Sequence, residues 1–514
     1  MGRGASGGLQ GQEIAGAISR MPDETKAKIM GVGKKVLHFT CSNLPALVLL
    51  PVAAWTTSKV VEMQKTGELQ RRWDSFRGQD VSLSMWQVLA LQAAVVAFVA
   101  AFMYLVRPKK GSTFLIDFYC LRPPNRLQSS KAAMREGYRL PENNYSQQAI
   151  DFMDKVLEIS GLGDYTFLPD DVVKGKDQKV EITMQGARLE TETALNVCIQ
   201  KVLDRTGIKN NQIDGLIVNC SAFNPTPSLS AAVVNHFKFK QSIRTFNLSG
   251  MGCAASVIGV DLAMEILANN PNTRIIIAGT ENILWNLYDG NQRSMLITNC
   301  IFRLGAVALM LSNHPADRHL AKYKLTHMVR THLGAHDEAY NAVIQKEDEE
   351  GKVGVKIGKE LMKVAGMALK ANITRLGPKV LPLSEKLIFA GNYVARKVLG
   401  MNLKPYVPDF TTAFEHFCIH PGGKAVINEV GKSLKLRHEQ TLPMLVPFER
   451  YGNTSSSSTW YAWTYVETTQ GVKKGDRVWQ LGFGSGFKCC SAVWVALKKN
   501  DEKHDAWMDI ESYT

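Results

Sequence analysis

Asn247-Leu-Ser-Gly-Met-Gly-Cys253-Ala-Ala-Ser256 is the stretch whose reading decides the fold. A single cysteine stands among small residues, and residues 254–267 follow with Val257, Ile258, Leu262, Ile266 and Leu267 at helical spacing. Cys253 therefore belongs at or just before a helix N-terminus, where the partial positive charge favours a thiolate and lowers the thiol pKa. Gly250 and Gly252 permit the tight strand-to-helix turn that exposes a nucleophile's sulfur. A structural cysteine beside a glycine turn fits the same local pattern, because free cysteine is among the most buried residue types.

Outward from this turn the chain reads as alternating buried strands and helices. Short apolar runs at 114–119, 215–220, 274–279 and 305–312 have the composition of strands covered on both faces. Helical periodicity runs through 146–159, 189–206, 360–376 and 381–401. The last of these is apolar and basic, and reads as an ordinary packed helix, a membrane-resting helix or a tunnel cover. The charged segment 334–358 reads as a surface loop or hairpin. A strand–turn–helix rhythm then repeats: 410–418 leads to Ile419-His420-Pro-Gly-Gly-Lys424 and a helix over 425–434. Met444-Leu-Val-Pro-Phe448 leads, as a second strand, to Asn453 and a helix over 459–467. Strands at 477–482 and 491–497 close the chain. Alternating strands and helices imply parallel crossovers in a layered α/β fold, and the repeated rhythm implies duplication.

The N-terminal fifth is different. Residues 36–58 and 81–106 carry almost no charge and are long enough to span about 30 Å of hydrocarbon. Trp55, Trp86 and Tyr104 lie near their ends, and Lys35, Lys59, Arg107, Lys109 and Lys110 close them. The expectation is a flexible cytosolic leader over 1–35, a two-span transmembrane hairpin over 36–106, and two catalytic halves over 107–314 and 315–514. A net charge of +14 asks for an anionic partner. No zinc-finger spacing, basic zipper or RNA-binding aromatic signature is present, so a membrane surface or phosphate-bearing substrate fits and nucleic acid does not. Nine cysteines without a C-x-x-C pair read as reduced thiols facing the cytosol, with no metal site.

Three polar residues stand at turns: Cys253, His420 and Asn453. A thiolate can take an acyl group from a thioester. A neutral imidazole and a carboxamide can both donate to one oxygen, which a developing enolate needs when a malonyl thioester loses carbon dioxide. Residues 482–486 form a glycine loop that brings backbone close without side-chain bulk.

The motifs Asn-Leu-Ser-Gly-Met-Gly-Cys253, Phe-Cys-Ile-His420-Pro-Gly-Gly, Tyr-Gly-Asn453-Thr-Ser-Ser-Ser-Ser and Gly-Phe-Gly-Ser-Gly-Phe-Lys-Cys489 resemble those of the plant-type 3-ketoacyl-CoA synthases, the condensing enzymes of very-long-chain fatty acid elongation. Gly279-Thr-Glu-Asn282, Thr298-Asn-Cys-Ile-Phe-Arg303, Val329-Arg-Thr-His332 and Gly161-Leu-Gly-Asp164 agree with the same family. The resemblance implies a thiolase-like, duplicated five-layer α/β/α/β/α fold. It implies catalysis by Cys253, His420 and Asn453, supported by His332, His416 and the loop residues Gly484, Ser485 and Gly486. Glu449 stands where the family usually carries a histidine, so that histidine's role does not transfer. The implied reaction joins a long-chain acyl-CoA to malonyl-CoA, giving a 3-ketoacyl-CoA, CO2 and CoA with no metal or redox cofactor. The implied setting is the endoplasmic reticulum membrane, multi-pass, with a cytosol-facing catalytic domain, a homodimer, and association with the ketoreductase, dehydratase and enoyl reductase of elongation. A silent membrane subunit of an elongase complex and another acyl or polyketide condensing enzyme are the competing readings.

Overall fold

The computed structural model describes residues 111–398 and 400–510, with the isolated positions 66, 67, 71, 95 and 99. The leader and the two apolar runs read over 1–106 lie outside the described residues apart from those positions. The chain divides after Lys109, and the unit from Lys110 to Thr514 is the one described here.

Nine strands of this unit form one mixed sheet: β1 (Phe114–Cys120), β4 (Gly215–Asn219), β5 (Arg244–Leu248), β6 (Arg274–Thr280), β7 (Ala306–Ser312), β8 (Tyr323–His332), β11 (His416–Ile419), β12 (Arg477–Gly484) and β13 (Lys488–Ala496). Two-stranded pairs are made by β2 (Gln128–Ser130) with β3 (Tyr165–Phe167), and by β9 (Val343–Glu347) with β10 (Val353–Ile357). The sheet order is β11-β12-β13-β8-β1-β7-β6-β4-β5.

That order contains the duplication. In the first half, β1 pairs antiparallel with β7, β7 antiparallel with β6, and β6 parallel with β4. In the second half, β8 pairs antiparallel with β13, β13 antiparallel with β12, and β12 parallel with β11. The two halves meet where β1 pairs with β8 through Phe114↔Lys324 and Leu115↔Tyr323. Only β5 lacks a counterpart. The segment expected to supply it, residues 444–448, lies inside the helix His438–Tyr451 instead. Its buried residues Met444, Pro447, Phe448 and Tyr451 follow helical spacing, and Pro443 and Pro447 cannot donate to a strand ladder. Likewise only residues 416–418 of the run 410–418 are strand, the start of β11, preceded by a 3-10 turn at Phe410–Thr412.

Helices fill the remaining layers. Ala255–Asn269 packs on β4 and β6 of one half and on β12 and β13 of the other, so it lies between them. Ser458–Tyr465, its counterpart, contacts β1, β11 and β12, and every residue of it is buried. Met184–Thr206 covers β1, β6 and β7, and Leu361–Val380 covers β8 and β13. Among the described residues, 252–269 is the one helical stretch long and apolar enough to cross a membrane. Its burial between the two half-sheets accounts for that composition.

A charged cluster staples the junction of the halves. Asp117 on β1 accepts from Arg205 Nε at 2.6 Å and from Lys322 Nζ at 2.8 Å, and Lys322 also reaches Glu502 Oε2 at 2.7 Å. Burial raises the Glu502 carboxyl, but Arg205 and Lys322 outweigh it and hold the group at about 2. A depressed carboxylate contributes stability above its unfolded value, about 4.3, and loses it as pH falls. Glu502→Gln is therefore expected to lower the thermal midpoint at pH 7. The gap between variant and wild type, followed by intrinsic fluorescence, should close as pH falls from about 4 towards 2.

Candidate active site

Cys253 lies in a 3-10 turn, Gly252–Ala254, between β5 and the helix Ala255–Asn269, as its neighbours' composition predicts. Gly252 has φ +65°, and a Cβ there would stand 2.5 Å from the backbone nitrogen of Ser485. No side chain fits, so the nucleophile turn of the first half touches the glycine loop of the second by backbone alone. His420 follows β11, and its backbone N–H donates to Leu481 O at 2.8 Å on β12. Asn453 follows the helix His438–Tyr451. Its N–H donates to Ile301 O at 2.9 Å, and its carbonyl accepts from Arg303 N at 3.0 Å. Its side-chain Oδ1 accepts from Ser455 N at 2.9 Å, which fixes the amide so that Nδ2 points at Gly422 O, 3.5 Å away. A Cβ on Gly422 would lie 3.4 Å from His420 Nε2, so the imidazole and the carboxamide converge on the same residue.

Cys253, His420 and Asn453 all line one cavity of about 670 Å³, in the range of small-molecule sites. Gly484, Ser485 and Gly486, at the turn between β12 and β13, line it as well. So does His332 at the end of β8, whose Nδ1 accepts from Gly334 N at 2.9 Å. Much of the cavity wall is apolar, Met134, Met153, Leu168, Val172, Leu287 and Phe302 among the lining residues. The hairpin of β9 and β10 contributes Val343, Ile344, Val355 and Ile357.

Two expectations need correction. His416 does not reach the cavity: it stands at the opposite end of β11 from His420, with Nε2 3.0 Å from Asp476 Oδ2. Four residues of strand carry it away from the turn, and a sequence motif does not show that separation. Cys253 also departs from the expected activated thiol. Burial pushes its thiol up to about 12, and the nearby Glu281 carboxylate adds to this. The Ser455 hydroxyl, the turn's own backbone and the Asn453 amide pull it only part of the way back. Burial likewise lowers the His420 imidazole to about 4, and its Nδ1 is buried with no partner among the described residues. Both groups are therefore neutral at pH 7. Glu449 is exposed, its carbonyl accepting from Gly163 N, and it lies outside the cavity.

The residue that the sequence reading missed as part of the site is Glu281, just after β6 and buried against the cavity. Its carboxylate accepts from Ser221 N and Ala222 N at 3.1 Å each and from Ser455 Oγ at 3.0 Å. An acidic residue just after the buried run 275–279 was the available signal. Ser455 itself has φ +55°, a left-handed conformation unusual for a non-glycine residue and held by these contacts. A thiol, a neutral imidazole and a carboxamide facing one cavity can accept an acyl group and then hold a developing oxyanion.

Fold and site together define a thiolase-type condensing enzyme. The type III polyketide synthase domain of Steely1 from Dictyostelium superposes with a TM-score of 0.60 at 16% identity, over 75% of this chain and 99% of that one. The 1,3,6,8-tetrahydroxynaphthalene synthase of Streptomyces coelicolor A3(2) gives 0.57 at 15%, over the same shares. At those identities the likeness is one of fold. Residues 103–398 match the model of the FAE1/Type III polyketide synthase-like proteins, and 411–496 match the C-terminal model of 3-oxoacyl-[acyl-carrier-protein] synthase III. Among curated relatives, 3-ketoacyl-CoA synthase 9 of Arabidopsis thaliana is 42% identical over 93% of this chain and 91% of its own length. 3-Ketoacyl-CoA synthase 4 of the same plant is 40% identical over 100% and 97%. The chain belongs to the FAE1/type III polyketide synthase-like family of condensing enzymes.

Among the eight described cysteines, Cys253 alone is half-buried rather than buried, at the wall of the cavity, so alkylation is expected to select it by access rather than by acidity. With the thiol at about 12, its iodoacetamide rate should rise about tenfold per pH unit from 7 to 10, because only the thiolate reacts. Peptide mapping of the adduct against pH checks this; a plateau below pH 8 would mean a preformed thiolate–imidazolium pair.

Proposed function

We propose that this protein is a membrane-anchored 3-ketoacyl-CoA synthase that condenses a long-chain acyl-CoA with malonyl-CoA, the first step of very-long-chain fatty acid elongation. The observation that carries the reading is the convergence of Cys253, His420 and Asn453 on one cavity with largely apolar walls, in a chain whose relatives are 3-ketoacyl-CoA synthases over nearly full length.

Neutral resting groups suit this chemistry. As acyl-CoA binds, His420 takes the Cys253 proton while sulfur attacks the thioester carbonyl, then returns it to the departing CoA sulfur. The acyl chain lies against the apolar walls of the cavity. Malonyl-CoA enters next. His420, neutral because its pKa is about 4, donates to the thioester oxygen together with Asn453 Nδ2. As carbon dioxide leaves, these donors hold the enolate charge, and the new carbanion attacks the acyl-Cys253 carbonyl. Collapse expels the Cys253 sulfur as a thiolate, which takes a proton from water to restore the resting thiol, and leaves a 3-ketoacyl-CoA two carbons longer. Glu281 orients Ser455, and through it the Asn453 carboxamide. No metal or redox cofactor enters any step.

The setting is the endoplasmic reticulum membrane, with residues 36–106 as a two-span hairpin and the five-layer domain in the cytosol. Five Asn-x-Ser/Thr sequons lie in the domain, at Asn144, Asn219, Asn247, Asn372 and Asn453. Asn219, Asn372 and Asn453 are buried. Asn372 Nδ2 donates to Cys489 O at 2.8 Å, and Ser491 Oγ donates to its Oδ1 at 2.6 Å. A glycan added at Asn372 during synthesis would prevent the fold, which supports a cytosolic rather than lumenal domain. The exposed edge of β5 supports a homodimer formed by strand pairing, and the three other elongation enzymes are the partners that would consume the product.

Asn453→Ala is expected to lose about 10²–10³ in release of labelled CO2 from malonyl-CoA, yet still form acyl-Cys253 from labelled acyl-CoA. Cys253→Ala should form none. An Asn453→Ala enzyme that cannot be acylated would move Asn453 out of the oxyanion role. For topology, protease added to sealed microsomes should digest the domain, and glycosidase should leave its mass unchanged. A protected, glycosylated domain would reverse the orientation.

A further inference from the structure

The helix Leu383–Lys397 is built inside out. Glu385 is its one buried residue. The Glu385 carboxylate accepts from Tyr406 Oη at 2.8 Å and from Asp409 N at 2.9 Å. Asn392, one helical repeat on, donates to Lys404 O at 3.2 Å and accepts from Tyr406 N at 3.0 Å. The polar stripe is thus held against the returning segment 404–409. The rest of the helix surface faces outward and is largely apolar: Leu383 is 69% exposed, Leu387 63% and Val398 70%, with Ile388, Phe389, Tyr393 and Val394 also exposed. Met401 and Leu403 extend the patch beyond the helix. Ordinary surface helices present the opposite arrangement, and a contiguous apolar face of this kind marks an interaction surface.

The charges around the face indicate what covers it. Residues 383–404 contain four cations, Lys386, Arg396, Lys397 and Lys404, and one anion, Glu385. That anion is turned inward. None of the four has an ion-pair partner among the described residues. A helix with aliphatic and aromatic side chains on one side, rimmed by unpaired Lys and Arg, matches the chemistry of an anionic lipid surface: acyl chains receive the apolar stripe, and the long cationic side chains reach up to the phosphates. Among the described outward side chains of 383–404 every charged one is a cation, which an anionic surface complements.

We propose that Leu383–Lys397 lies in the plane of the membrane surface, its apolar stripe among the acyl chains and its cations on anionic headgroups. This is a second, peripheral membrane contact made by the catalytic domain itself, and it rests on the membrane reading above only for the presence of a bilayer.

The test uses the full chain in vesicles of phosphatidylcholine and phosphatidylserine that contain a phosphatidylcholine with a photoactivatable group on one acyl chain. Trypsin cuts after Lys386 and Arg396 and releases residues 387–396, most of the apolar stripe. The expected result is a lipid adduct on 387–396, several-fold above that on 353–356, whose Val353 is exposed on β10. Labelling should fall several-fold when the phosphatidylserine is replaced by phosphatidylcholine. Hydroxyl-radical footprinting from the aqueous side runs in parallel. Adducts on peptides of 36–106 but none on 387–396 overturn this inference and leave the anchor intact. Adducts on neither overturn both. A 387–396 peptide oxidised from water, or one protected from both reagents as a protein-covered face would be, also overturns it.

Discussion

The active site depends on a contact between two glycine turns that leaves no room for a side chain. A Cβ on Gly252 would meet Ser485 N at 2.5 Å, and one on Gly484 would crowd the carbonyl oxygen of Met251. These residues belong to different halves of the duplicated fold. The contact sets how far the Cys253 turn sits from the segment that carries the β12–β13 loop, and β12 in turn holds His420 through Leu481 O. A methyl group at either glycine would push the two halves apart at the point where their functional groups meet.

That same closeness creates the electrostatics. Packing the Cys253 turn between two half-sheets removes water from both the thiol and the imidazole. Burial penalises the charged form of each, so the thiol rises to about 12 while the imidazole falls to about 4. The helix dipole at Ala255–Asn269 favours a thiolate by a smaller amount. Desolvation therefore wins over the dipole, and charge separation waits until a substrate carbonyl is present to receive it. The buried Glu281 works in the same direction, adding a carboxylate near the sulfur while holding Ser455 and its strained backbone in place.

Outside the site, the domain keeps its polar groups inward and its apolar groups outward along one helix, Leu383–Lys397. Periodicity alone assigns that segment the helical state correctly. Its direction is set by Glu385 and Asn392 finding partners on 404–409, contacts that no repeat in the sequence announces. An amphipathic pattern states that a helix has two faces and is silent about which one the fold covers.

The sequence by itself determined the strands and helices with strong periodicity, the Cys253, His420 and Asn453 turns, and the family to which their motifs belong. Those features are local: a glycine pair before a cysteine, a histidine after a short strand, an apolar run of strand length. Tertiary structure decided the rest. It made a helix of residues 444–448, whose buried positions repeat at helical spacing once the chain has something to pack against. It carried His416 to the far end of β11 beside Asp476, although only three residues separate it from His420. It brought Glu281 into the site from another strand, and it reversed the expected pKa of Cys253. Each of these outcomes depends on which groups lose water and which distant segments meet, and burial and long-range contact are properties of the folded chain.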